Sequence, residues 1–338
     1  MTHTEFFAQV KKGEIARAYL FEGEEEYVKE RALETLRQKL LPEGLEALNE
    51  TTLQNPAAGQ LIECAEMVPV MAEKRLVVAN ECAYVANSKA AGDADGAERL
   101  TKYLDTLPET TCIVFYVKGL ADGRKKLSQA LKKKAAAVRF DPLTDAELNK
   151  WIAGQFRPLG KIIAPQTAMQ LAFTSGRELM LLSQEIKKLA AFAGERTEIT
   201  AADVERVATQ TAECTVFQMA DALVAGKAAE AFRLLSVLLE NGEARIGVLA
   251  MIARQYRNML YYKLSREAGM PDPEIARQIG VPPFAVRRLA DQVRRETAQS
   301  LKEKLDLCVD TDYAIKSGRM RDDAALERAM MKLCQRAQ

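Results

Sequence analysis

The residues around Gly23 have the types and spacing most relevant to chemistry. A buried strand, Ala18–Glu22, ends at Gly23, and a long amphipathic helix follows. Nucleotide-binding proteins use this layout, because exposed backbone N–H groups and the helix dipole attract anions there. Here four carboxylates stand where phosphates would lie: Glu22, Glu24, Glu25 and Glu26. We therefore expect the acidic first turn to stabilise the helix and to repel a nucleotide.

The phosphate-loop pattern itself is incomplete. No G-x-x-x-x-G-K-[ST] occurs in the chain, so Gly23, Glu24 and Lys29 are interpreted as a degenerate phosphate loop. The third predicted strand ends at Asn80, where Mg²⁺ would need a carboxylate, and the fourth ends at Tyr116–Lys118 without a clear polar sensor. Because three parts of the site fail together, we expect no catalytic residue, no cofactor, no metal and no intrinsic ATPase or nucleotidyl-transfer activity.

Composition limits the possible classes of protein. A chain of 338 residues favours two or three domains, and a net charge of +1 leaves any contact with nucleic acid or membrane to local patches. The longest uncharged run, Ile162 to Gly176, is too short and too polar to span a bilayer. The single histidine, His3, argues against histidine triads and most zinc sites. Six scattered cysteines without C-x-x-C are typical of a reducing cytoplasm.

Hydrophobic periodicity predicts the elements that position these residues. Strand and helix patterns alternate up to Asp141 and predict a five-stranded parallel sheet with helices on both faces. Residues Asn87 to Gly96 are predicted to form an exposed loop. From Asp141 onward, only helices are predicted. The predicted strands are Ala18–Glu22, Ala47–Thr52, Arg75–Asn80, Thr111–Val117 and Ala135–Phe140.

Four strings, taken in order, resemble AAA+ clamp-loader subunits, and among them the delta-subunit family of bacterial DNA polymerase III. The strings are Tyr19–Gly23, Pro69–Val78, Glu185–Leu189 and Asp312–Gly318. The resemblance extends over essentially the whole chain. It implies a degenerate AAA+-like α/β module over residues 1–141, a small all-α lid over 142–210 and an all-α collar over 211–338 that joins other subunits.

The resemblance also implies a function in DNA replication. A delta subunit grips the ring-shaped sliding clamp and opens one interface for loading on primed DNA, without hydrolysing ATP itself. Its partners would be the clamp and the other clamp-loader subunits of a hetero-pentamer, with primed DNA bound weakly or through the complex, and no membrane. The holoenzyme would be a cytoplasmic DNA-directed DNA polymerase. An active AAA+ ATPase subunit of a replication loader and a DNA-binding helical adaptor are the alternatives.

The clamp-binding element implied by the resemblance is Val68, Pro69, Val70 and Met71. Pro69 ends the preceding helix and stiffens the turn, so that Val70 and Met71 would project as an apolar wedge. Relatives usually place an aromatic residue here, and methionine is a softer anchor. Read from the residues alone, Val68, Val70 and Met71 would instead fill the core beside the third strand.

Basic segments are the remaining signals. The helix Arg124–Lys134 is interpreted as a solvated face rather than a DNA contact. The helix Ala244–Arg266 is basic, with Tyr256, Tyr261 and Tyr262 interleaved, and a second basic stripe comprises Arg287, Arg288, Arg294 and Arg295. Either DNA binding or ordinary amphipathicity accounts for both.

Tyr313 is the sharpest candidate for a DNA contact. It lies near the end of a predicted helix, beside basic residues. A tyrosine there would stack on an unpaired base or pack between helices, and the sequence leaves both open. The DNA-contact candidates are Tyr313, Lys316, Arg319, Arg254 and Arg257.

Overall fold

A computed structural model describes residues 1–87, 94–281, 283–294 and 296–335. The chain forms two compact units, Met1–Thr144 and Asp145–Gln338. The division of the second unit at residue 210, into a lid and a collar, stays a prediction. Most of the predicted loop Asn87–Gly96 falls on residues 88–93, outside these ranges, as does Arg295. Within them, no helix combines the length and apolar character needed to cross a membrane.

The first unit is built on a five-stranded sheet. Every neighbouring pair of strands is parallel, and the spatial order is β2-β3-β4-β1-β5. The predicted α/β fold class is therefore confirmed. The strands are β1 (Ala18–Glu22), β2 (Glu50–Gln54), β3 (Arg75–Asn80), β4 (Thr111–Tyr116) and β5 (Ala136–Arg139).

Helices connect these strands. The strand predicted at Ala47–Thr52 is wrong at its start, because a short helix precedes β2 there. The side-chain amide of Asn49 donates through Nδ2 to the Leu45 carbonyl oxygen at 3.1 Å and closes that helical turn. The helices are α1 (His3–Lys11), α2 (Glu26–Leu40), α3 (Glu46–Asn49), α4 (Ala58–Glu66), α5 (Ala94–Thr106) and α6 (Lys126–Lys134).

Helices cover both faces of the sheet. Tyr19 and Phe21 of β1 meet Phe6 of α1, with ring centroids 5.5 and 5.3 Å apart. Between them, Leu20 belongs to a different buried cluster, together with Leu61 of α4 and Leu127 of α6. Successive strand residues point to opposite faces, so a central strand covered on both sides must be apolar throughout. The run Ala18–Phe21 meets this requirement.

The second unit is mainly helical. The prediction that it contains no strand is wrong, since β6 (Ile162–Ile163) and β7 (Glu198–Ile199) pair in parallel. Strands of this length are too short to show a periodic pattern. The helices are α7 (Asp145–Phe156), α8 (Pro165–Ser175), α9 (Leu179–Ala193), α10 (Ala201–Val207), α11 (Ala212–Val224), α12 (Ala228–Glu240), α13 (Arg245–Glu267), α14 (Asp272–Ile279), α15 (Pro283–Val293), α16 (Ala298–Lys316) and α17 (Asp322–Leu333).

Helix α13 lies at the centre of the bundle. It packs against α11, α14, α15, α16 and α17. Its residues Leu249, Ile252, Tyr256 and Met259 are buried in one apolar cluster. Their spacing of three and four residues forms the core-facing stripe of an amphipathic helix. This stripe determines which side chains of α13 lie outside the core.

Candidate functional site

Gly23 closes the strand that would carry a phosphate loop. Its φ is +129°, a conformation that residues with a side chain rarely adopt. A Cβ atom at this position would lie 2.2 Å from the carbonyl oxygen of Phe140. The turn therefore requires glycine because two stretches of backbone approach each other closely, whether or not a phosphate binds.

Lys29 is the residue of this turn whose contacts the sequence does not predict. It stands six residues after Gly23, the spacing that the phosphate-loop pattern assigns to its lysine. Its side chain is fully buried. The ammonium donates to the carbonyl oxygens of Gly23 at 2.8 Å and Val117 at 2.7 Å, and to Glu26 Oε1 at 2.6 Å. All three donors of the ammonium are thus bonded to protein atoms and none is free for a phosphate.

Glu26 supplies the opposite charge at this position. Besides Lys29, it accepts a hydrogen bond from the Tyr116 hydroxyl at 2.9 Å through Oε2. Burial and then the bond to Glu26 raise the pKa of Tyr116 well above its ordinary value. Tyr116 ends β4, where no clear polar sensor was predicted, so the prediction missed this hydroxyl.

Glu22 is also bonded within the protein. It is buried, accepts from the backbone N–H of Ala121 at 3.1 Å and pairs with the Lys132 ammonium at 2.9 Å. At the end of β3, the carboxylate of Glu81 accepts from the backbone N–H of Lys118 at 2.6 Å. The sequence predicts that the acidic groups near Gly23 repel a nucleotide. The structure shows in addition that Glu22 and Glu81 bond to neighbouring groups and thereby stabilise this end of the sheet.

Residues 68–71 form the second feature of the first unit, and they project into solvent. The exposed fractions of the residues are 79% for Val68, 45% for Val70 and 84% for Met71, while Pro69 is half-buried. The segment lies between the end of α4 at Glu66 and the start of β3. These apolar side chains do not fill the core beside the strand, and we refer to residues 68–71 as the wedge.

The basic helix α6 makes several contacts within its own unit. Lys125 donates to the carbonyl oxygens of Ala83 and Ala86 at 2.6 and 2.7 Å. Lys134 pairs with Asp105 at 2.6 Å. Such pairing favours the interpretation of α6 as a structural and solvated face.

Two of the three tyrosines of α13, Tyr256 and Tyr262, are buried in the bundle core and cannot serve as a stacking platform. Of the two alternatives that the sequence leaves open, their burial favours ordinary amphipathicity for these two rings. The reason for the burial is the helical spacing, which places both rings on the core-facing stripe. Arg254 pairs with Glu213 at 3.0 Å, and Arg257 is exposed.

Tyr313 lies on the outside of α16. Its side chain is 58% exposed, and the guanidinium of Arg319 stands 5.1 Å from the ring centroid. Lys316, one turn further along, pairs with Asp312 at 2.8 Å. The structure thus brings Tyr313, Lys316 and Arg319 together at the end of one helix, while Arg254 and Arg257 lie on α13.

The first unit is a five-stranded parallel sheet, and at the position of a phosphate loop Lys29 bonds to the protein itself. A helical unit follows in the chain. Together these features define an AAA+-like protein. A family model described as "DNA polymerase III, delta subunit" matches residues 19–141, and one described as "DNA polymerase III delta subunit, C-terminal domain" matches residues 213–333. The chain belongs to the DNA polymerase III delta-subunit family.

Individual relatives agree with this assignment over the full length of the chain. The DNA polymerase III subunit delta of Bacillus subtilis (strain 168) is 28% identical over 331 residues, which span 97% of this chain and 95% of that protein. A solved structure of the Bacillus subtilis DNA clamp loader delta protein matches with a TM-score of 0.58 and 27% identity. That match covers 99% of this chain and 100% of the other.

Proposed function

We propose that this chain is a clamp-loader subunit that binds the sliding clamp through the wedge and opens the ring for loading on primed DNA. The observation that carries the proposal is the exposure of Val68 and Met71 in a chain of the delta-subunit family. The structural relative bears the name of a DNA clamp loader delta protein. The proposed partners are the clamp and the other subunits of a clamp-loader hetero-pentamer.

The wedge has the physical character of an interface anchor. Its apolar side chains stand in water in the free protein, and their transfer into a partner's pocket is favourable. Burying two side chains of this size contributes about 3–5 kcal/mol before the entropic costs of association. A compact, central apolar contact of this kind is typical of interface hot spots, although methionine is rarer there than aromatic residues.

Opening the ring requires no chemical step in this chain. A subunit that binds the open clamp more tightly than the closed clamp shifts the equilibrium toward the open form by that difference in affinity. The internal bonding of Lys29 supports the view that the energy of ATP enters elsewhere. We infer that nucleotide hydrolysis by partner subunits controls whether the wedge is accessible.

Met71→Asp tests the clamp contact. We expect the affinity for the clamp to fall at least about a hundredfold, because a charge would have to be buried in an apolar contact. Isothermal titration calorimetry with the clamp of the same organism measures this, and circular dichroism checks the fold. Met180→Asp, at another exposed methionine on α9, is the matched control. Equal affinities for the Met71→Asp variant and the unchanged protein would contradict the proposal.

Contact with primed DNA is a second part of the proposal. An exposed tyrosine beside two cationic side chains fits an unpaired base and the phosphates next to it. We expect Tyr313→Ala to weaken binding of primed DNA by the assembled loader about fivefold, and Tyr313→Phe to preserve it. Fluorescence anisotropy at fixed salt compares the affinities of the two variants for primed DNA. Equal affinities of Tyr313→Ala and Tyr313→Phe would show that the ring does not contact the DNA. Arg254 and Arg257 stay weaker candidates.

A further inference from the structure

We propose that Asn49 is a positioning residue that sets the wedge in its projecting shape before any partner binds. The inference rests on the proposed function, because it concerns how the wedge is prepared for the clamp. Asn49 belongs to another element, α3, and lies 21 residues before Val70 in the chain. No sequence motif connects it to the wedge.

The Asn49 carboxamide is fully buried and uses both of its polar atoms on the wedge. Its Oδ1 accepts from the backbone N–H of Val70 at 2.7 Å, and its Nδ2 donates to the carbonyl oxygen of Val70 at 2.9 Å. One side chain therefore pairs both backbone groups of a single residue, as a neighbouring β-strand would. Two such bonds fix the position of Val70 and also the orientation of its peptide groups.

Asn49 is itself held in place. Its Nδ2 also donates to the Leu45 carbonyl oxygen at 3.1 Å, within the turn of α3. A buried side chain with these three bonds has one conformation available to it, because any other would leave buried polar atoms without partners. The wedge is thus anchored to a rigid part of the sheet unit, directly before the start of β2.

The turn around Val70 has little other support. In the part of the chain that the structure describes, the bonds with Asn49 are the only hydrogen bonds that residues 69–73 make. Met71, directly after Val70, has a φ of +51°, in the left-handed region that residues with a side chain adopt at an energetic cost. Such a conformation persists only where the surrounding structure imposes it, and Asn49 makes the bonds next to it.

The consequence for binding is pre-organisation. A segment that already has its bound shape loses less conformational freedom when the partner binds, so more of the contact energy appears as affinity. Without the Asn49 amide, Val68 and Met71 would still be exposed and apolar, but they would occupy many arrangements. The affinity would then fall although no residue of the contact itself had changed.

The experiment compares Asn49→Leu with Asn49→Ala and a matched control in the full chain. Leucine has the same branched arrangement of heavy atoms as asparagine but lacks the amide, so it removes the bonds while filling the space. The control is Asn55→Ala, because Asn55 Oδ1 accepts from the backbone N–H of Ala83 at 2.9 Å, beyond the far end of β2. Three quantities are measured for each: the melting temperature, amide hydrogen exchange at Val70 relative to β1 without clamp, and the Kd for the sliding clamp.

We expect exchange at Val70 to accelerate at least about tenfold in both Asn49 variants. We expect the Kd to rise about tenfold. The Asn55→Ala variant is expected to lower the melting temperature without changing the exchange at Val70 or the Kd for the clamp. Asn49 variants that change only the melting temperature, or that accelerate exchange without weakening clamp binding, would overturn the positioning role.

The two proposals fail in distinguishable ways. If the unchanged protein does not bind the clamp, the proposed function is wrong, and the hydrogen exchange of the free protein still shows whether Asn49 holds the turn. If the unchanged protein binds and Asn49→Leu binds equally well, the function stands and the inference about Asn49 is wrong.

Discussion

The turn after β1 and the turn before β3 lie at opposite ends of the parallel strands of one sheet and leave very different groups accessible. In the first, the Lys29 ammonium is buried and bonded to Gly23, Val117 and Glu26. In the second, the backbone of Val70 is held by Asn49 while the neighbouring apolar side chains stand in water. Side-chain hydrogen bonds hold the backbone in both turns, yet only the second turn presents large apolar side chains to solvent.

The comparison separates stability from binding. A buried ammonium with all donors satisfied has no capacity left for a ligand, and its removal leaves buried acceptors without a donor. An exposed apolar side chain adds little to folding and is available for association. Changes at the first turn should therefore alter the free energy of unfolding, and changes at the wedge should alter affinity for the clamp.

The largest loss of stability is expected from Gly23→Ala. The new Cβ would meet the Phe140 carbonyl oxygen, and the backbone conformation is unfavourable for alanine. We expect the free energy of unfolding to fall by about 4 kcal/mol, measured by urea denaturation. Gly13→Ala is the control, since φ is also positive there but no atom lies within 4 Å of the new Cβ. Equal losses for the two variants would show that the close approach is unimportant.

Lys29→Met is expected to have the next largest effect. Methionine fills a similar volume but leaves the carbonyl oxygens of Gly23 and Val117 without their donor. We expect a loss of about 3 kcal/mol in the free energy of unfolding. Lys133→Met, at an exposed position of α6, should be nearly neutral. If the folded Lys29→Met protein lost clamp affinity together with stability, the first turn would affect binding as well, and the proposed separation of stability from binding would be wrong.

We expect pH to have a smaller effect on the free energy of unfolding, through the ionisation of Tyr116. Its pKa in the folded state is raised, so the unfolded chain loses this proton first as the pH increases. The stabilising contribution is therefore fully present below about pH 10 and falls above it, by up to about 1.4 kcal/mol per pH unit. Tyr116→Phe should make urea unfolding less sensitive to pH between about 9.5 and 11.5. Identical pH profiles for the two proteins would contradict this assignment.

The sequence allowed much of the sheet to be predicted. β1 and β3 begin and end at the predicted residues, because their apolar runs are bounded by polar residues and turns. The start of β2 was missed, since Ala47 and Leu48 continue the strand pattern while the Asn49 amide closes a helical turn. Local patterns cannot reveal a side-chain bond of this kind.

The candidate functional site also depends on contacts that local sequence patterns do not reveal. The wedge was located from the resemblance, but its exposure depends on how the segment leaves α4, and pattern alone favoured burial. The spacing of Lys29 from Gly23 was visible in the sequence, whereas its bond to Val117 joins residues 88 positions apart. Asn49 is bonded to Val70, 21 residues further along the chain, and no periodicity reports such a bond.

The thioether groups at the wedge have a practical consequence. Met71 is exposed, and so is Met67 directly before the wedge. Oxidation to the sulfoxide would turn a flexible apolar side chain into a polar one without touching the core. Protein stored in air or treated with peroxide is thus expected to keep its melting behaviour while losing the proposed affinity for the clamp, and methionine sulfoxide reductase should restore that affinity.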